Sequence, residues 1–568
     1  MDQPQLHNRP SAGMGSLPFG IALGVITLVA VWFRFDGLTR RDMWLDESCT
    51  FYAVHHLFAW PADGPDPWRE LAHTPYFLLL RLWSEVFGQT AWGLRSFSAV
   101  VGSLAIPLIA LVGTRMGNRR VGLIGAAIAS VHPLHIYYSQ EARVYTLWAL
   151  AATISLYVLY QAARTLRARW WLGYAVCAWV MVLIHDYSLF WLPATIGVLV
   201  VADHRRRALR QWFITHACLA LTLAPLIWFV LLGHTQTGPK AWLNEIWRGY
   251  PPALAVARSL WALLPSGDYP RYLGTLYTAL DVIGAYNFPA AYAVLVGPAI
   301  LVGGLAIASA MIPRRWIKRV PSDGPLGIHE WDGTSPRCAQ FLVVHGLLFL
   351  FFGFLYSCLF TPTYVVGRYD VVIWPAMVLG MAFLVDTAPI GRRLDGRPRI
   401  FLQGAITVIL CTCGLVMSLA SRAAPIYHVQ RVRAERIAAF VEEADLVVSV
   451  NLYRWFMLYE WHRMDFHPQI ISFPPAHERQ MCWENAEAEL ADPGQIEADI
   501  AVVMARIEAA HRSGRRVWLL AQGEGEGPRA QVDARLFARF GQRRIRVRPV
   551  AEWIGLAELV PQERHYSR

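Results

Sequence analysis

Five short segments, far apart in the chain, carry the residues whose types and spacing suit chemistry. The first is RRDMWLDESCTFYAV, residues 40–54, where Asp46 and Glu47 sit side by side among Trp44, Leu45, Phe51 and Tyr52. Carboxylates are common in loops, but one in such apolar company has its pKa raised and suits a general base. The second is SVHPLHIYYSQEARVYTLW, residues 130–148, a turn holding Glu141 and Arg143 between Tyr137, Tyr138 and Tyr145. The third is TPTYVVGRYDVVIWP, residues 361–375, in which Arg368 precedes Tyr369 and Asp370. The planar fork of an Arg makes paired, charge-assisted hydrogen bonds to phosphate. The fourth is HTPYFLLL, where His73 stands before a Thr-Pro that redirects the chain. The fifth is HDYSLFWLP, with His185, Asp186 and Tyr187 together. A lone His or a single Glu–Arg pair is ordinarily structural. These residues gain meaning from the elements that bring them to one place.

Those elements are membrane spans. Of the 568 residues, 55% are hydrophobic and 16% charged, and the mean hydropathy is +0.33, the profile of a polytopic membrane protein. Apolar runs long enough to cross a bilayer fall near 17–35, 93–113, 120–138, 143–163, 170–185, 187–202, 212–233, 288–311, 340–360, 365–385 and 400–421. The N-terminus lacks a basic start and a small-residue cleavage site, so 17–35 reads as a retained span. The net charge of +11 does not point to nucleic acid, because the basic residues gather in short loops between apolar runs. Arg115, Arg119 and Arg120 mark one such loop; Arg164, Arg167 and Arg169 the next. Three more follow at 205–210, 314–319 and 392–399, and every second loop is basic. This alternation requires that TPYFLLLRLWSEVFG, residues 74–88, does not cross but lies in the interface. The result is eleven spans, a cytoplasmic N-terminus and an outer C-terminus.

All five segments then fall on the outer side. So do Cys49 and Cys482, where a bridge between them is open; no CxxC or Cys/His zinc spacing is present. Residues 422–568 read as a small soluble α/β domain, with DLVVSV (445–450) and RRVWLLAQ (515–522) as buried strands and VEEADL and IAVVMARIEAAHRSG as helices. Its role is open between acceptor binding and a structural cap.

One function would use every segment. A polyprenyl-phosphate sugar needs an apolar groove for its tail and an Arg for its phosphate. The acceptor hydroxyl needs a carboxylate to take its proton during attack on the anomeric carbon.

The same residues resemble the GT-C class of membrane glycosyltransferases, of the protein O-mannosyltransferase-like and aminoarabinose-lipid-A transferase-like kind. The carriers are WLDESCTFY, HTPYFLLLRLWSEVFG, HPLHIYYSQEARVYTL, IHDYSLFWLP and YVVGRYDVVIWP, over roughly 17–203 and 361–385. The alternation divides the chain into a membrane domain over 1–421, with an outer loop at 36–92, and an extracytoplasmic domain over 422–568; the resemblance implies a GT-C fold and a large first outer loop with juxtamembrane helices, in agreement with that division. It implies inverting transfer to a hydroxyl on lipid, polysaccharide or protein at the outer face of the plasma (inner) membrane, with Asp46 as base. Glu47, adjacent on the same turn, shares the catalytic candidacy, and Glu141 takes the second acidic position. Phosphate contacts map onto Arg368 and Arg143. His73, Tyr138, Tyr145, His185, Tyr187 and Tyr369 are expected to line the substrate pocket. Thr74 stands where a Pro is usual and Asp186 where an aromatic is usual, which loosens one turn and alters the pocket. No cofactor is required, and a divalent metal stays open. The rival readings are a diphosphate-donor oligosaccharyltransferase, a lipid-linked-glycan flippase and a scaffold with a sensory outer domain. The flippase is disfavoured by the absence of repeated halves and by charges gathered on one face.

Overall fold

The computed structural model describes residues 16–55, 74–228, 256, 259–265, 336–360, 367–387, 397–423, 428–450, 453–478, 490–521, 528–551 and 555–561. His73, Cys482, the apolar run at 288–311 and most of the loop 234–287 lie outside them.

In lipid every backbone N–H and C=O must be satisfied within the chain, so the apolar runs fold as helices. Among the described residues these are α1 (Ser16–Phe35), α2 (Leu45–His55), α3 (Thr74–Phe87), α4 (Ala91–Met116), α5 (Arg119–Ser130), α6 (Pro133–Ser139), α7 (Tyr145–Thr165), α8 (Ala168–Ile184), the short α9 (Trp191–Ala194), α10 (Arg205–Trp228), α11 (Pro336–Leu359), α12 (Trp374–Thr387) and α13 (Arg397–Ala423). Among the described residues six helices are long and apolar enough to cross a membrane, seven if α5 and α6 count as one broken span. On α1, Leu17, Ile21, Val25 and Leu28 form an exposed stripe suited to lipid, while Ala30, Phe33 and Arg34 are buried. The central helix is α4, which packs against α1, α5 and α7. Its approach to α5 depends on glycine: a Cβ on Gly122 would meet the Ala110 carbonyl oxygen at 2.5 Å.

The structure differs from the expected spans in three places. The run 365–385 is a 3-10 turn, Tyr369–Val372, followed by α12 of only 14 residues, which begins at Trp374 ahead of Pro375. The run 120–138 is not one helix but bends by 63° between α5 and α6. Pro133 opens α6 and forces His132 into an extended conformation. The run 187–202 winds largely as 3-10 turns, Asp186–Phe190 and Thr195–Val200, around α9, which holds Pro193. Helix α3, at 14 residues, is about 21 Å long, short of the roughly 30 Å of a bilayer core. Tyr76, Phe77 and Leu80 face the core and Leu78, Leu82 and Val86 are exposed, a pattern that fits the interface.

The C-terminal part is an α/β unit with α14 (Val429–Ala438), β1 (Leu446–Val450), α15 (Tyr453–Arg463), β2 (Gln469–Phe473), α16 (Pro493–Arg512), β3 (Val517–Leu520), α17 (Pro528–Gln542), β4 (Ile545–Ala551) and β5 (Leu556–Pro561). The sheet order is β2-β1-β3-β5-β4; β1 pairs in parallel with β2 and β3, whereas β5 runs antiparallel to β3 and β4. Strand alternation splits the core: Leu446, Val448 and Val450 face one cluster and Val447 the other. The expected strands at 445–450 and 515–522 and the helix ending before Gly514 are present. VEEADL is a turn, not a helix, because the Asp445 carboxylate accepts the Glu442 N–H at 2.8 Å and the Trp518 Nε1–H at 2.8 Å, a local alternative to helical bonding.

Candidate active site

Asp46 and Glu47 occupy the first turn of α2, where the helix dipole favours carboxylates. Both are buried, at 4% and 0% exposure. Adjacent helical residues point about 100° apart, so the pair diverges into two environments.

Asp46 meets two guanidinium groups from distant segments. Arg368 Nη2 donates to its Oδ2, and Arg143 Nη2 lies 3.7 Å from the same oxygen. Arg143 Nη1 donates to the Asp46 carbonyl at 3.2 Å and to Thr50 Oγ1 at 3.1 Å. Arg368 Nε donates to the Tyr145 hydroxyl, and its guanidinium lies 5.3 Å from the Trp44 ring centre. Gly367, at φ +74°, makes the left-handed turn that delivers Arg368. Its carbonyl accepts the Tyr138 hydroxyl at 3.0 Å and its N–H donates to Asp370 at 2.6 Å. Within this trio two cations face one anion. The arrangement offers a site for an anion beside a carboxylate.

An aromatic wall adjoins it. Tyr138 and Tyr145 are 4.5 Å apart by ring centre. His185 stacks on Trp148 at 4.4 Å and meets Tyr369 edge-on at 5.1 Å. Tyr187 packs on Tyr369 at 4.5 Å. The tyrosines and histidine expected to line a pocket, His73 aside, are therefore neighbours.

Glu47 sits elsewhere. Its two oxygens accept Arg95 Nε and Nη2 at 2.7 and 2.6 Å, and Oε1 also accepts the Ala142 N–H at 2.8 Å. Arg95 directs its remaining N–H groups to the carbonyls of Leu38, Arg41 and Asp42 at 2.6, 2.9 and 3.0 Å. The expectation that apolar company raises the carboxylate pKa fails at Glu47. Burial does push it up, but the Arg95 charge and hydrogen bonds outweigh burial and hold it below the ordinary carboxylate range. This ion pair ties the α2 turn carrying Asp46 to the turn carrying Arg143 and occupies both Glu47 oxygens. Glu141 is buried, and its charge is felt at Arg95 and Tyr76.

A pH prediction follows from Glu47. With its folded value depressed, its contribution to stability is full above the unfolded value, about 4.3, and is lost as pH falls through the folded one. The wild-type thermal midpoint in detergent should fall more steeply below about pH 4 than that of Glu47→Gln. Parallel curves would contradict the assignment.

Arg95 and Thr50 were not singled out from sequence. Arg95 carried a signal, a charge inside the apolar run 93–113; Thr50 carried none. Arg34 carried a similar signal. It donates to the carbonyls of Ala129 and Ser130 at the end of α5, each at 3.1 Å, and contacts His135 Nδ1 at 2.9 Å. Among the described residues no group of three or more His, Cys, Asp or Glu side chains is arranged to hold a metal ion.

Residues 73–230 match the family described as dolichyl-phosphate-mannose-protein mannosyltransferase. No curated protein matches the chain. Among solved structures, ArnT from Cupriavidus metallidurans bound to undecaprenyl phosphate is 11% identical over 96% of this chain and 98% of that one, with a TM-score of 0.48. Its apo state is also 11% identical over the same shares, at 0.49. The Archaeoglobus fulgidus oligosaccharyltransferase in complex with Zn and sulfate is 12% identical over 79% of this chain and 62% of that one, at 0.43. The matched segment 73–230, which contains Arg95, Glu141, Arg143, Tyr145 and His185, is thus similar to the dolichyl-phosphate-mannose-protein mannosyltransferase family.

Proposed function

We propose that the protein is an inverting glycosyltransferase that moves a sugar from a polyprenyl-phosphate donor to an acceptor hydroxyl at the extracytoplasmic face of the plasma membrane. The observation that carries this reading is the convergence of Arg143 and Arg368 on Asp46, beside an aromatic wall suited to a sugar ring. In the resting site the carboxylate occupies the arginines. A donor phosphate competes for them and leaves Asp46 to the acceptor. The acceptor O–H then gives its proton to the Asp46 carboxylate while its oxygen forms a bond to the anomeric carbon. The bond from that carbon to the phosphate oxygen breaks, its electron pair stays with the polyprenyl phosphate, and the arginines stabilise the departing charge. Attack opposite the leaving group inverts the anomeric centre. Tyr145 holds the Arg368 fork, and Thr50 holds Arg143.

Arg368→Ala is the test of the phosphate site. Losing charge-assisted bonds of about 1.5–3 kcal/mol should weaken donor binding by about 10- to 100-fold, read by titration of the purified protein with polyprenyl-phosphate sugar. Unchanged donor affinity would remove Arg368 from the role.

A further inference from the structure

Asp42 belongs to the loop between α1 and α2, yet its side chain serves the C-terminal unit. Oδ2 accepts the N–H groups of Gln430 and Arg431, each at 3.2 Å, and Oδ1 lies 2.7 Å from His428 Nδ1. Gln430 and Arg431 are the second and third residues of α14, the two N–H groups that an N-cap side chain ordinarily takes. His428, at the cap position, makes no such bond. The first turn of α14 is thus capped by a carboxylate from the far end of the chain.

The same residue looks the other way through its backbone. The Asp42 carbonyl accepts Arg95 Nη2 at 3.0 Å, and that nitrogen also donates to Glu47 Oε2, one residue from Asp46. A second contact runs alongside. Helix α15 lies on α2 through Phe51–Tyr459 at 5.4 Å, Phe51–His462 at 5.0 Å and Tyr52–Trp455 at 4.9 Å between ring centres. The Tyr459 hydroxyl accepts the Ala91 N–H at 2.9 Å, at the start of the helix that carries Arg95. The C-terminal unit therefore grips both elements that aim the acidic pair.

We propose that the C-terminal unit sets the position of the Asp46 carboxylate, and that Asp42 is the positioning residue that carries the connection, from α14 through Arg95 and Glu47 to α2. The proposal rests on the reading of Asp46 as the base. It gives the C-terminal unit a part in turnover without requiring it to touch substrate.

The test uses full-length protein in detergent. Asp42→Ala removes cap and tie together, so His428→Ser is added to restore a local cap on α14. His428→Ser alone is the control and should behave as wild type. In the double variant kcat should fall by about a hundredfold, the cost of a small misplacement at a reacting centre. Donor KM should hold or fall, because a displaced Asp46 carboxylate competes less with donor phosphate for Arg143 and Arg368. Amides of α2 should exchange about tenfold faster by hydrogen–deuterium exchange. Wild-type kcat and wild-type α2 exchange in the double variant would overturn the proposal and reduce Asp42 to a cap. If the wild-type protein transfers nothing from any donor, the proposed reaction fails. The exchange rates then decide the proposal alone, faster exchange supporting it and wild-type exchange overturning it.

Discussion

Asp46→Asn should lower transfer by about 10²- to 10⁴-fold, the usual worth of a positioned proton acceptor, while the protein stays folded. The replacement keeps the shape of the side chain and an oxygen for Arg368, but it has no charge and takes no proton. The two arginines would then face a neutral group. Donor phosphate would no longer compete with a carboxylate for them, so donor affinity should hold or rise while kcat collapses. That split separates a base from a binding residue. Turnover near wild type would remove Asp46 from the chemistry, and a loss of donor affinity with kcat intact would make it part of the phosphate site.

The second large effect belongs to Arg95. It is 1% exposed and uses its N–H groups on Glu47 and on three carbonyls of the loop before α2. Arg95→Met leaves the Glu47 carboxylate buried without its cation, a loss of about 3–5 kcal/mol in systems where one partner of a buried pair is removed. Adding Glu47→Gln should recover part of that loss, because no uncompensated charge remains. Transfer should stay low in both, since the loop carbonyls have lost their donor and α2 its anchor. Chemical denaturation in detergent reads the stabilities. An Arg95→Met protein within about 1 kcal/mol of wild type would show that the pair is not buried as described.

The sequence made the trio legible because its members are of types that have few other reasons to cluster. An acid in WLDESCTFY, an Arg in SQEARVY and an Arg in VVGRYD fall on one side once the basic loops set the alternation. What it did not separate was Asp46 from Glu47. Their surroundings depend on the rotational phase of α2 against α4, and Arg95, on another helix, pairs with Glu47. The kink at Pro133 was visible as a proline inside an apolar run, yet hydropathy counts residues without asking whether their N–H groups continue the ladder. In the C-terminal unit, β1 and β3 were readable because they are buried on both faces and read as continuous apolar runs. The edge strand β4, IRVRPVA, is largely exposed and alternates Arg with apolar residues, so it carries little burial signal. The capping of α14 by Asp42 had no local sign at all, since neither partner lies near the other in sequence.

The proposed reaction meets its most direct test in transfer by the purified full-length protein from radiolabelled polyprenyl-phosphate sugars, with diphosphate-linked donors alongside and chelator added to a parallel set. The anomeric configuration of the product is read by NMR. Transfer from one monophosphate donor, with inversion at the anomeric carbon, is the expected result. Silence on every monophosphate donor from protein shown to be folded, transfer from diphosphate donors alone, or retention of configuration would contradict it.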